Sequence, residues 1–125
     1  MLNTVLMLLV VACAMVAAHE AGHALLTRAL GGRFLGIHVR GFLVGVRLSV
    51  KTLSTRQVAW TLAAGPFAEF LVVLAAIVIS PKNIHWWLLI LALQWIGNLT
   101  PWGLIPNDGT RLWQLWRRGA IDLTS

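Results

Sequence analysis

Two histidines four residues apart, with a glutamate beside the first, are the residues of this chain best suited to chemistry: His19-Glu20-Ala21-Gly22-His23. On a helix, positions i and i+4 leave one face a turn apart, so both imidazoles can ligate a single tetrahedral metal ion, and the ligand type suits Zn2+. Glu20 lies close enough to exchange a proton with a water that the metal activates, which is the arrangement of a zinc hydrolase. The bland alternative is an apolar helix that carries two histidines and a glutamate for no purpose, at the energetic cost of polar groups in a segment otherwise without charge.

Catalytic zinc usually takes three protein ligands and keeps one position open, so a third ligand must come from elsewhere in the chain. Two acids compete for the role. Asp108 lies in Asn107-Asp108-Gly109, and Glu69 lies in Gly65-Pro66-Phe67-Ala68-Glu69. Residue types leave both open: Asp108 also reads as a turn or helix-cap aspartate, and Glu69, mid-way along an apolar run, also reads as the partner of an arginine or of a ligand histidine. His38 and His85 read more simply as surface or interfacial histidines. Cys13 is the single cysteine, so there is neither an intrachain disulfide nor a cysteine-based zinc site.

The elements that must position these groups belong to a membrane. Hydrophobic residues make up 58% of the 125 positions and charged residues 11%, where soluble proteins carry about a quarter. Mean hydropathy is +0.79. The net charge of +6 does not form a nucleic-acid-binding stripe, because Lys and Arg sit in the gaps between apolar runs.

Residues 2–30 form the first span, and Gly31-Gly32 stops it. No Lys or Arg precedes this run and its helical pattern continues past His23, so we expect a retained helix, not a cleaved signal. Over residues 34–50 the pattern changes to a period of two, which predicts a short re-entrant or interfacial β-sheet. A second span covers 56–79 with Ser54 or Thr55 as cap, and a third covers 84–99. Pro101, Gly103 and Pro106 then break the backbone, which at membrane depth is tolerated only in protein or beside a wet cavity. Leu112, Trp113, Leu115 and Trp116 against Arg111, Arg117 and Arg118 have the composition of a C-terminal interfacial helix. The expected fold is therefore a mainly α membrane domain over 1–125, with a core of three transmembrane helices.

Basic residues fall between the first two spans and after the third, with Lys82 alone on the other side. The positive-inside bias puts the N-terminus outside and the C-terminus in the cytoplasm, in a multi-pass protein of the cell (inner) membrane. Trp60, Trp86, Trp87 and Trp102 fall near span ends, where indoles favour the interface. At about 1.5 Å per residue, His19 lies roughly 16 Å before Leu30, so the metal is expected below the cytoplasmic surface, with water reaching it past the broken backbone between Asn98 and Asp108.

At this point the chain resembles the site-2 protease family of intramembrane metalloproteases. Three blocks carry the resemblance, in the family's order and on successive apolar segments: His19-Glu20-Ala21-Gly22-His23-Ala24 with Gly31-Gly32-Arg33, then Ala64-Gly65-Pro66, then Asn98-Leu99-Thr100-Pro101 through Pro106-Asn107-Asp108-Gly109. The resemblance implies one zinc ion held by His19, His23 and Asp108, with Glu20 as the catalytic acid–base and Asn98 helping to hold the substrate or the oxyanion. It departs from the family where Glu69 and Thr110 stand, positions at which similar members often have Asn and Gly.

The activity so implied is zinc-dependent endopeptidase cleavage of peptide bonds in or near transmembrane segments, with a transmembrane-helix substrate and the bilayer as partners. A second copy of the chain or a regulatory membrane protein is a further candidate partner. A substrate helix must unwind before attack, and an edge strand of residues 34–50 could capture it by strand addition. The main rival is a catalytically inactive zinc-binding relative that holds clients without cutting them. A metal transporter using Glu69, His19 and His23 is a third reading, for which three spans are few.

Overall fold

A computed structural model of the chain describes residues 2–40, 43–100 and 108–122. It is mainly helical: α1 (Leu2–Ala29), a hairpin of β1 (Arg33–Arg40) and β2 (Leu43–Ser49), α2 (Thr55–Ile79), α3 (Ile84–Leu99) and α4 (Asp108–Asp122), with a single 3-10 turn at Pro81–Asn83 before α3. The expected helices and sheet are present with boundaries within one or two residues. The broken segment around Pro101, Trp102, Gly103 and Pro106, and with it the expected water path, lies outside the described residues.

α1 and α2 pack along two rows of side chains spaced by four. On α1 the row is Met15, His19, His23 and Thr27, all buried. On α2 it is Thr61, Gly65, Glu69 and Val73, also buried. His19 meets Glu69 and His23 meets Thr61, so the helices run antiparallel, and a position one turn along either helix stays in the seam. Below the polar part of the seam, Met15, Val73, Ala76, Trp87 and Leu91 form the apolar core that joins α1, α2 and α3.

Outside the seam the surface of both helices is apolar. Val78 and Ile79 are 81% and 82% exposed, and Val5, Leu9, Val10, Leu25, Phe67 and Leu71 also face outward. Buried polar groups inside and large aliphatic groups outside are the inverse of a soluble fold, and the arrangement that lipid favours. α1 and α2 are long and apolar enough to cross a membrane. α3 has 16 residues, below the roughly 20 of a straight crossing, so the three-span core expected from the sequence reduces to two helices of spanning length and a shorter third.

Local signals account for the starts and stops. Ser54 caps α2 in a reciprocal pair: its hydroxyl accepts the Gln57 N–H and the Gln57 side chain accepts the Ser54 N–H. Trp87 departs from its expected place at the interface. It is 1% exposed and donates its indole N–H to the Ser80 carbonyl at 3.1 Å, holding the turn into α3. Trp60, Trp86, Trp113 and Trp116 are exposed, and the last two stack with ring centroids 5.4 Å apart on the outer side of α4.

The hairpin follows α1 directly. Its strands are antiparallel, with Ile37 opposite Val46 and an irregularity between Phe34 and Gly36. The sheet has two strands, so each keeps one edge that is not paired with a strand among the described residues.

Candidate metal centre

Three donor atoms meet where the α1–α2 seam passes under the start of α4. His19 Nε2 and His23 Nε2 are 2.9 Å apart, and Asp108 Oδ2 lies 2.8 Å from the first and 3.1 Å from the second. All three residues are buried. They are the group able to hold a metal ion among the described residues, and they join two ligands from one helix turn to a third from 85 positions further along the chain. The sequence left Asp108 and Glu69 as rivals; the geometry brings Asp108 to the histidines' Nε2 side and Glu69 to the back of His19.

The second nitrogen of each ring defines what the first can do. His23 Nδ1 lies 2.7 Å from the Thr61 carbonyl oxygen, which can only accept, so this nitrogen carries a proton. His19 Nδ1 donates to Glu69 Oε1. With both Nδ1 atoms protonated, the neutral rings point two lone pairs at each other and at a carboxylate oxygen, an arrangement that repels itself. Protonating both Nε2 atoms instead would aim two N–H groups at each other across 2.9 Å, whereas one proton shared within the set, or a cation between the three donors, satisfies it. Burial pushes the Asp108 carboxyl up, but the approach of His19 and His23 more than reverses this and holds it below the usual carboxylate range. An ionised Asp108 thus needs positive charge among the three donors.

A metal ion meets all these demands at once. Tetrahedral zinc with ligands at about 2.0–2.1 Å sets its donors about 3.3 Å apart, a few tenths of an ångström wider than this triangle. The donor set fits zinc in type, number and protonation, and His19, His23 and Asp108 would hold it.

Glycines let the elements close on this point. A Cβ on Gly65 would fall 2.6 Å from Cε1 and Nε2 of His23 and 2.9 Å from Cε1 of His19, so the rings occupy the space where a side chain on α2 would stand. One turn away, a Cβ on Gly22 would fall 2.6 Å from the Ala64 carbonyl oxygen. These contacts give the Gly-Pro block and the Gly of His-Glu-Ala-Gly-His their purpose, a helix crossing close enough for imidazoles to reach across. Gly109 does the same for α4, since a Cβ there would overlap the Leu99 carbonyl at the end of α3. Pro66 has no N–H for the Leu62 carbonyl, and its own carbonyl accepts the Trp95 indole N–H at 3.2 Å, tying α2 to α3.

Glu20 points out of the seam. Its Oε2 accepts the Val46 N–H at 3.1 Å, so the β2 backbone reaches the acid next in sequence to the ligand His19. Asn98, expected at the oxyanion, donates its amide to Glu69 Oε1 at 3.3 Å. Sequence reasoning did not find the contacts of Thr61 and Val46, because a backbone carbonyl or N–H leaves no mark in residue type. Thr61 could have been singled out as the next member of the row that runs back from Glu69 through Gly65.

The family described as Peptidase M50B-like matches residues 2–113, and the chain belongs to it, a site-2 protease family domain. No curated protein and no solved structure matches the chain.

Proposed function

We propose that the chain is a zinc-dependent intramembrane endopeptidase that hydrolyses peptide bonds in or near transmembrane segments of membrane-protein substrates. The observation that supports it most is the meeting of His19 Nε2, His23 Nε2 and Asp108 Oδ2 in a seam between two apolar helices, one of which also carries Glu20. Zinc held by His19, His23 and Asp108 would supply the Lewis acidity that polarises a scissile carbonyl and makes water nucleophilic near neutral pH. Glu20 takes the proton of the attacking water and returns it to the leaving amine. Thr61 and Glu69 hold the imidazoles with Nε2 toward the donors, so neither ring has to reorient during the reaction.

The substrate segment has to be extended before its peptide bond is open to attack, because a helix keeps its carbonyls in its own hydrogen bonds. The outer edge of β2 is the place for it. Val46 points its N–H away from β1 and toward Glu20, and in an antiparallel strand the alternate residues Val44 and Leu48 point theirs to the same side. A substrate strand paired to this edge runs beside the catalytic acid. In this reading α1, α2 and the shorter α3 lie in the cell (inner) membrane, with the N-terminus outside and the C-terminus in the cytoplasm.

The test compares wild type with Glu20→Gln in liposomes against a panel of single-span peptides labelled at both ends, measuring zinc content beside cleavage. We expect bound zinc in both and cleavage by wild type alone. A zinc-loaded wild type that cuts none of the panel supports a client-binding module without activity.

A further inference from the structure

We infer that Glu69 is a positioning residue for the metal centre and that Asn98 orients Glu69, so that Asn98, Glu69 and His19 form one chain of hydrogen bonds behind the metal. The inference rests on the zinc reading of the site but not on its being a protease.

Glu69 is 1% exposed and lies near the middle of α2, where an unsupported carboxylate is costly. Its contacts among the described residues are both at Oε1, which takes His19 Nδ1–H and the Asn98 amide. Oε2 is buried and has no hydrogen-bond partner among them. No Lys or Arg forms an ion pair with it among the described residues, and its ionisable partner there is His19. A divalent cation facing Asp108 on one side of that ring and Glu69 on the other gives a buried cluster with balanced charge.

The geometry has a direct consequence for His19. A carboxylate on Nδ1 fixes the tautomer, raises the basicity of Nε2 and sets the plane of the ring, where a neutral amide would do the second only weakly. Asn98 comes from the last turn of α3 and donates to the same Oε1 that accepts the His19 Nδ1–H, which holds that oxygen toward His19. It reaches the metal centre through two other side chains, which separates it from a group that touches substrate.

Zinc affinity, read by competition with a chelator of known strength on the purified full chain, tests this without any cleavage. Loss of an outer carboxylate partner typically weakens metal binding about 10–100-fold, and we expect that range for Glu69→Gln, with partial recovery in Glu69→Asp. Asn98→Ala should weaken binding by a smaller factor, and in the Glu69→Gln background it should have no further effect, because its contact acts through the lost charge. Circular dichroism checks that each variant keeps the helical content of wild type. Glu69→Gln binding zinc within twofold of wild type overturns the inference, and so does an Asn98→Ala effect of equal size in both backgrounds. Should Glu69→Gln fail to fold, Glu69→Asp and Asn98→Ala against wild type still decide: affinities indistinguishable from wild type in both overturn it. A wild type that takes up no zinc overturns the zinc reading itself, whereas normal zinc affinities with no cleavage overturn only the protease.

Discussion

The Glu20 carboxylate accepts a hydrogen bond from the backbone N–H of Val46 at 3.1 Å, and this one contact joins the two halves of the account. Glu20 belongs to the helix that carries both histidine ligands. Val46 belongs to the strand whose outer edge is not paired with another strand among the described residues. In the proposed reading, a peptide added to that edge takes the Val46 N–H from Glu20 and so lies beside the residue assigned the proton transfer.

Val46→Pro tests the capture step. Proline removes the N–H that faces Glu20, while the bonds between the strands involve the opposite edge of β2. A single hydrogen bond is worth about 0.5–1.5 kcal/mol, so KM for a cleaved substrate should rise roughly 2- to 12-fold. Zinc content should not change. Steady-state kinetics beside metal analysis check it, and an unchanged KM counts against pairing on this edge.

Gly65→Ala tests the close approach of the helices. Alanine is the better helix former by about 1 kcal/mol, so α2 itself should not suffer. The added methyl, however, takes the space of the His23 and His19 rings and turns both Nε2 atoms off target. We expect substoichiometric zinc with wild-type helical content by circular dichroism. Full zinc occupancy would place the imidazoles elsewhere.

Asp108→Ala removes one of three donors and should cost more zinc affinity than the roughly 10–100-fold typical of an outer-sphere partner. Gly109→Ala should weaken binding as well, although it touches no ligand, because its Cβ pushes α4 off the Leu99 carbonyl and carries Asp108 with it. Chelator competition measures both. A Gly109→Ala variant with wild-type affinity would mean that α4 does not depend on this contact to present Asp108.

Much of this site was legible in the sequence, for identifiable reasons. The spacing of His19 and His23 fixes a shared helix face whatever the surroundings, and the mid-span position of Glu69 marks it as a residue with a task. The family resemblance named Asp108, which residue types left tied with Glu69. The geometry separates them by sides of one ring, with Asp108 on Nε2 and Glu69 on Nδ1 of His19. What stayed hidden was what side-chain chemistry does not encode. The Thr61 carbonyl and the Val46 N–H act through the backbone, and Trp87 reads as an interfacial indole until the Ser80 carbonyl is found beside it. The length of α3 was visible as a number, but its packing on α2 through Trp95 and Asn98 depends on where Pro66 and Glu69 fall on that helix.

In the proposed reaction His19, His23 and Asp108 hold zinc while Glu20 moves the proton. Parallel measurement of zinc content and cleavage in wild type and Glu20→Gln tests it most directly. About one zinc per chain is expected in both proteins, with cleavage lost in the variant by at least the 10²–10⁴-fold typical of a general acid–base. Glu20→Gln that cleaves as well as wild type would contradict it.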